Sequence, residues 1–240
     1  RHADVDTVVV ASSSSVYGST DQLPKVESMT EQPESPYALS KYYTEKLALQ
    51  ASDLYDIDTA ALRYFNIFGP RQDPNGEYAA VIPKFISLML EGEHPIIYGD
   101  GEQSRDFTYI DNAIEANILA AEGDVTGEAF NVGCGGRVTI NELVDVLNEQ
   151  LETDIDPIHD DPRPGDVRHS HADISKAQEV LGYDADVDFA EGLEDDLEDK
   201  VYNALEVAVE GFFKTNDIEK TSENIDLVHH ASLIFLYRIL

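Results

Sequence analysis

VDTVVVASSSSVYG at residues 5–18, followed by SPYALSK at residues 35–41, is the stretch that decides the fold. The apolar run from Val5 to Ala11 is too short for a helix and rich in β-branched residues, so it reads as a buried strand. Ser13 then sits at the carboxyl tip of that strand, where open α/β sheets place their ligands. Ser35-Pro36 reads as a helix start, with the serine as N-cap and the proline at the first helical position. Tyr37 and Lys41, four residues apart, therefore share one helical face.

A phenol beside an ammonium group is a plan for proton transfer. Tyrosine ordinarily ionises near pH 10, about three units too high for a base at neutrality, and a neighbouring cation favours the phenolate. Ser13 can share the proton of a substrate hydroxyl by hydrogen bonding. The same helix carries a second pair of equal spacing, Tyr42 and Lys46. Five residues at about 100° each turn that pair roughly 140° away from Tyr37, so only one pair can face a given pocket. Tyr37 and Lys41 are the choice, because they follow the helix start that can lie beside the serine strand. Spacing alone leaves open a tyrosine packed on the sheet with a solvated lysine.

Further along, IDTAALRYFN (57–66) reads as another parallel strand, GPRQDPNGEY (69–78) as a surface loop and AAVIPKFISLMLEG (79–92) as a helix. SRDFTYID (104–111) alternates like a strand and carries Arg105, whose planar guanidinium suits phosphate oxygens. Gly133-Cys134-Gly135-Gly136 lies between a strand-like EAFNV and a helix-like TINELVDVLNEQL, but without the G-x-G-x-x-G spacing of a dinucleotide turn. His169 and His171 could share a strand face, yet further ligands are not identifiable and no metal is expected. Residues 193–214 are expected to form an amphipathic helix, with Leu197, Val201, Leu205 and Val209 recurring every four residues.

Asp plus Glu number 48 against 16 Lys plus Arg, a net charge of −32, and the acid is spread along the chain rather than gathered in a tail. Such a surface repels nucleic acid and anionic membrane, and neither is expected as a partner. Adaptation to high salt accounts for it, since screening makes so much like charge tolerable. Cys134 is the only cysteine, which excludes an intrachain disulfide and suits a reducing cytoplasm. The apolar run 231–236 is far too short to span a bilayer.

The runs ASSSSVYG, SPYALSK, LRYFNIFGPRQDPNGEYAAVIPKF, GDGEQSRDFTYIDN and RPGDVRHSHADISKA together resemble the extended short-chain dehydrogenase/reductase family of nucleotide-sugar epimerases and dehydratases. Within it the likeness is strongest to 4-epimerases of UDP-glucose and UDP-N-acetylglucosamine. The resemblance spans roughly residues 4–195 and implies an α/β fold. A partial Rossmann-like parallel sheet (1–74) would be joined to a smaller α/β substrate-binding region (75–195), ahead of an atypical helical and apolar tail (196–240). It implies NAD as cofactor, a UDP-sugar as substrate and a homodimer.

By position, the resemblance makes Ser13, Tyr37 and Lys41 catalytic. It sets Tyr37, Lys41 and Phe65 beside the nicotinamide, and Ser13, Ser14 and Asn66 along the substrate. Val81, Lys84 and Tyr98 would frame the uridine, Arg105 and Arg163 would hold the diphosphate, and Ser170 would form the sugar-pocket wall, where a small residue admits an N-acetyl group.

Dehydratases of this family carry an Asp-Glu pair where Ser14 and Ser15 stand here, and decarboxylating members retain a glutamate. Their absence leaves oxidation at C4, rotation of the 4-keto sugar and reduction on its other face. The alternatives are a related dehydratase or decarboxylase, or an inactive remnant that only binds UDP-sugar or dimerises. The family's first strand and glycine-rich turn are expected ahead of Arg1. The 240-residue chain by itself is therefore expected neither to retain NAD nor to epimerise.

Overall fold

The computed structural model describes residues 5–55, 57–73, 80–163 and 167–200. Three parallel strands form the principal sheet: β1 (Thr7–Ser13), β2 (Asp58–Tyr64) and β7 (Glu128–Val132), in the order β1-β2-β7. Ser13 pairs with Tyr64, and Tyr64 with Val132. All three strands thus end on one line, and the loops that follow them share one edge of the sheet.

Between β1 and β2 runs α1 (Pro36–Tyr55), capped by Ser35, whose Oγ accepts the Ala38 N–H at 3.1 Å. Between β2 and β7 lies α3 (Ile110–Glu122). Side chains alternate along β2 and assign the helices to opposite faces. Ala60 and Leu62 pack with Ala116 and Ala120 of α3, whereas Arg63 bonds to Glu45 of α1. With both faces covered, β2 is buried from Thr59 to Arg63.

The opening strand differs from its expectation. It begins at Thr7 rather than Val5 and is only half-buried, with Val8 36% exposed. It pairs with β2 on one side, and no strand lies on its other side among the described residues.

The remaining elements are short. β3 (Ile67–Phe68), α2 (Val81–Leu90), β4 (Ile96–Tyr98), β5 (Ser104–Arg105), β6 (Thr108–Tyr109), β8 (Val138–Thr139), α4 (Ile140–Gln150), β9 (Ile158–Asp160) and α5 (Ser175–Leu181) complete the order. SRDFTYID is two strands rather than one: β5 runs antiparallel to β8 and β6 parallel to β3, with Asp106-Phe107 between them. A second apolar core gathers Phe85, Ile86 and Met89 of α2 with Leu143, Val144 and Leu147 of α4. Residues 189–200 are helical and seal this core with Leu193 and Leu197. Val201, Leu205, Val209 and the tail lie outside the described residues. No helix of the described residues is long and apolar enough to cross a membrane.

Candidate active site

At the carboxyl edge of the sheet lies a cleft of about 720 Å³. Of the residues singled out from sequence, it brings together Ser13, Ser14, Tyr37, Lys41, Phe65, Asn66, Arg105 and Ser170. Ser13 closes β1 and caps a short 3-10 turn, Ser14–Tyr17, its Oγ accepting from the Ser15 N–H at 3.2 Å and the Ser15 hydroxyl at 2.9 Å. Tyr37 opens α1 and is half exposed. The Lys41 ammonium lies 5.8 Å from the Tyr37 ring centroid and donates to the Ala11 carbonyl at 3.1 Å. That bond ties the helix to the serine strand and holds the cation beside the phenol.

The second tyrosine–lysine pair has another address. Lys46 bonds Glu31 at 2.6 Å and sits 5.4 Å from the Tyr42 ring centroid. Next to it lies a buried ionic cage that the sequence reading passed over. Arg63, 1% exposed, grips both carboxylate oxygens of Glu45, at 3.0 Å through Nε and 2.6 Å through Nη2. It also donates to Glu31 at 2.6 Å and to the Tyr17 hydroxyl at 2.9 Å. Ser12 donates to Glu45 at 2.6 Å, and the Tyr17 hydroxyl to Asn131 at 2.6 Å. Burial pushes the Tyr17 phenol up to about 12. Burial opposes ionisation of Glu45 too, but the Arg63 bonds outweigh it and hold the carboxyl below its ordinary range. An arginine inside the apolar run TAALRYF was the available signal.

The far wall of the cleft comes from distant parts of the chain. Asn66 follows β2 at φ +33° and donates to the Asp106 carbonyl at 3.2 Å and the Ser170 hydroxyl at 3.3 Å. Arg105 is half-buried and donates to the carbonyls of Ser104 at 2.9 Å and Arg168 at 3.4 Å. Phe65 is fully buried against Tyr17. Lys25, Glu34, Val167 and His169 also line the cleft, and of these only His169 drew attention in the sequence.

Four of the singled-out residues lie elsewhere. Tyr98 and Arg163 stack, with the guanidinium carbon 3.8 Å from the ring centroid, and line a separate cleft of about 710 Å³ with Asp100, Gln103 and Arg168. Val81 packs on the second apolar core, and Lys84 follows one turn along α2. His169 Nδ1 meets the Ser104 hydroxyl at 2.9 Å and His171 Nε2 meets the Gly135 carbonyl at 3.0 Å. The described residues hold no cluster of three potential metal ligands.

The glycine turn is filled by the chain itself. Asp106 accepts the Cys134 N–H at 2.8 Å and the Ala172 N–H at 2.9 Å, and a Cβ on Gly133 would stand 3.0 Å from the Asp106 carboxylate and 2.8 Å from Ala172. Its anion-binding groups are therefore spent on Asp106, whose carboxyl burial pushes up to about 6. Burial, with the charge of Asp106, pushes the Cys134 thiol up to about 11.

Comparison with known proteins gives the arrangement its relatives. The sequence pattern of the NAD dependent epimerase/dehydratase family matches residues 1–133. A UDP-glucose 4-epimerase of Mycolicibacterium smegmatis is 38% identical over 194 residues, covering 80% of this chain and 62% of the relative. The solved UDP-N-acetylglucosamine 4-epimerase of Methanobrevibacter ruminantium, in complex with UDP-N-acetylmuramic acid, is 47% identical with a TM-score of 0.79, covering 82% of this chain and 64% of that one. The UDP-glucuronic acid 4-epimerase of Bacillus cereus, solved with UDP-glucuronic acid and NAD, is 33% identical with a TM-score of 0.75, covering 82% and 62%. The chain thus spans less than two thirds of the length of these relatives.

Proposed function

The chain belongs to the NAD dependent epimerase/dehydratase family, and from that premise we propose that its cleft serves the 4-epimerisation of a UDP-sugar through a 4-keto intermediate. The observation that carries this reading is the meeting of Ser13, Tyr37 and Lys41 at the carboxyl edge of the sheet, in one cleft with Asn66 and Arg105. Tyr37 takes the proton of the C4 hydroxyl and returns it after the sugar has turned. Lys41 stabilises the oxyanion that forms on Tyr37, and Ser13 holds the sugar oxygen in reach. Arg105 and Asn66 bind the diphosphate, and Ser170 leaves room at the cleft wall for the N-acetyl forms. Ser14 and Ser15 stand where an elimination would need an acid and a base, which favours epimerisation over dehydration.

NAD fits this site at its nicotinamide end, where Tyr37, Lys41 and Phe65 line the cleft. When bound, it supplies the hydride acceptor and donor for C4. The glycine turn at 133–136 does not fit the dinucleotide's pyrophosphate, because Asp106 occupies it.

Tyr98 and Arg163, stacked in the neighbouring cleft, extend the substrate path, with Val81 and Lys84 on α2 as its outer frame. In domain terms, residues 1–74 supply the cofactor side and 75–195 mainly the substrate side. A homodimer is supported by the exposed apolar side chains along α1, Leu39, Tyr43, Leu47 and Leu54, and a salt-rich cytoplasm by the charge of −32.

The test joins the chain to the cofactor-binding segment of a relative and follows conversion of UDP-glucose and UDP-N-acetylglucosamine by proton NMR. Tyr37→Phe should lower turnover by about 10²–10⁴-fold, the range for losing a general acid–base, with UDP affinity unchanged and Tyr42→Phe active. Loss with Tyr42→Phe and retention with Tyr37→Phe would reverse the assignment.

A further inference from the structure

Asp106 is fully buried between β5 and β6, and its two carboxylate oxygens reach two different loops. Oδ1 accepts the Cys134 N–H at 2.8 Å from the turn after β7, and Oδ2 accepts the Ala172 N–H at 2.9 Å from the segment ahead of α5. The fit is close, since a Cβ on Gly133 would stand 3.0 Å from Oδ2. Burial pushes the carboxyl up to about 6, against the backbone bonds from Ala172, Cys134 and Gly135 and the charge of His171. Keeping Asp106 charged at neutral pH thus works against stability, and an asparagine would fill the same space with no charge to bury.

What the carboxylate holds together is the far wall of the cleft. Arg105 precedes it in the chain, and Asn66 Nδ2 donates to the Asp106 carbonyl at 3.2 Å and to the Ser170 hydroxyl at 3.3 Å. Ser170 stands just ahead of Ala172, and its N–H donates to the Ser104 carbonyl at 2.9 Å, which also accepts from Arg105 Nη1 at 2.9 Å. Asn66, Arg105 and Ser170 all line the cleft, whereas Asp106 does not. It can act on a ligand only through them.

We propose that Asp106 is a positioning residue for substrate binding: its carboxylate ties the turn after β7 and the segment before α5 to the β5–β6 corner, and so sets Asn66, Arg105 and Ser170 at the spacing a sugar nucleotide needs. This rests on the reading of the cleft as a sugar-nucleotide site. An asparagine at 106 presents one acceptor oxygen and an amide that only donates. One of the two loops then loses its bond, while the shape of the buried side chain is kept.

Isothermal titration of the 240-residue chain and of Asp106→Asn with UDP-N-acetylglucosamine tests it. The diphosphate of this probe is esterified at both ends and does not titrate near pH 6. At pH 7.5 the variant should bind about tenfold more weakly, the lower end of what a hydrogen bond to a charged group contributes. At pH 5 the parent's own Asp106 is largely protonated, and the two affinities should converge. The titratable groups that face Asp106, His171, Cys134 and Tyr183, its neighbour Arg105, and His169 in the cleft are present in both proteins. The ratio of affinities therefore isolates Asp106, and damage to the fold alone would give a ratio that does not change with pH. A ratio near one at pH 7.5, or an equal ratio at both pH values, would overturn the positioning role and spare the reading of the cleft. No binding of the probe by the parent would sink both. Should circular dichroism show Asp106→Asn unfolded, Gly133→Ala decides, because its methyl group presses on the same carboxylate. Weaker binding with the fold intact supports the proposal, and unchanged affinity, or a loss only together with the fold, overturns it.

Discussion

Tyr37 with Lys41 and Tyr42 with Lys46 repeat one spacing on one helix, yet they face two differently built regions. Around Tyr37 the chain leaves an open cleft: the residue is 50% exposed, and among the described residues Lys41 meets a carbonyl and a ring. Lys46 also borders a cleft, of about 520 Å³, and its side chain is 40% exposed, but there Glu31, Glu45, Arg63, Tyr17, Ser12 and Asn131 are bonded to one another. The cage ties α1 to β1 and β2, while on the cleft side Tyr37 stays half exposed. A group whose bonds are all made within the protein can hold structure, and one whose bonds are unmade can do chemistry. Motif spacing does not distinguish the two.

The sharpest way to break this contrast is to remove the centre of the cage. Arg63→Ala leaves the buried Glu45 with only the more distant Lys46 ammonium, at 3.6 Å, and should cost about 3–5 kcal/mol of stability in urea unfolding. Tyr37→Phe should stay within about 0.5 kcal/mol of the parent, as for a half-exposed side chain outside the packed interior. If the two variants unfolded at the same urea concentration, the division into a structural and a functional face of α1 would be wrong.

The cleft side is probed by Arg105→Ala. Loss of a charged hydrogen bond should weaken UDP binding by about 1.5–3 kcal/mol, with UDP-sugars affected alike, because the contact proposed for Arg105 is to the diphosphate. Unchanged UDP affinity in calorimetry would remove Arg105 from the diphosphate.

The smallest effect is a difference in pH response. Asp106, raised to about 6 in the fold against an ordinary value near 3.9, is protonated in the folded chain before the unfolded one. Its contribution to stability therefore rises as pH falls from about 6 toward 4. Glu45 and Glu31 are held below the ordinary glutamate value of about 4.3. Their contribution is complete above that value and is lost as pH falls through the folded values beneath it. In unfolding curves, Asp106→Asn should remove the first trend and Arg63→Ala the Glu45 part of the second, leaving Glu31 to Lys46. A profile for Asp106→Asn parallel to the parent between pH 4 and 6 would defeat the assignment.

The chain's own order carried a good part of this protein into view. β-branched runs with terminal serines, a Ser-Pro helix start and a four-residue Tyr–Lys interval depend on neighbours in sequence, and they located β1, α1 and the Tyr37 pair. Resemblance across residues 4–195 supplied the family. Other features needed tertiary structure, because they arise between residues that are remote in sequence. Arg63 and Glu45 lie 18 positions apart, Asn66 and Ser170 lie 104 apart, and Asp106 reaches across 66 to Ala172. Local periodicity says nothing about such contacts. SRDFTYID alternates like one strand, yet it divides at Asp106, whose carboxylate is engaged by the glycine turn and by Ala172. Burial and partner geometry are properties of the assembled chain, and here they set one Tyr–Lys pair on the cleft at the sheet edge and the other beside the ion cage.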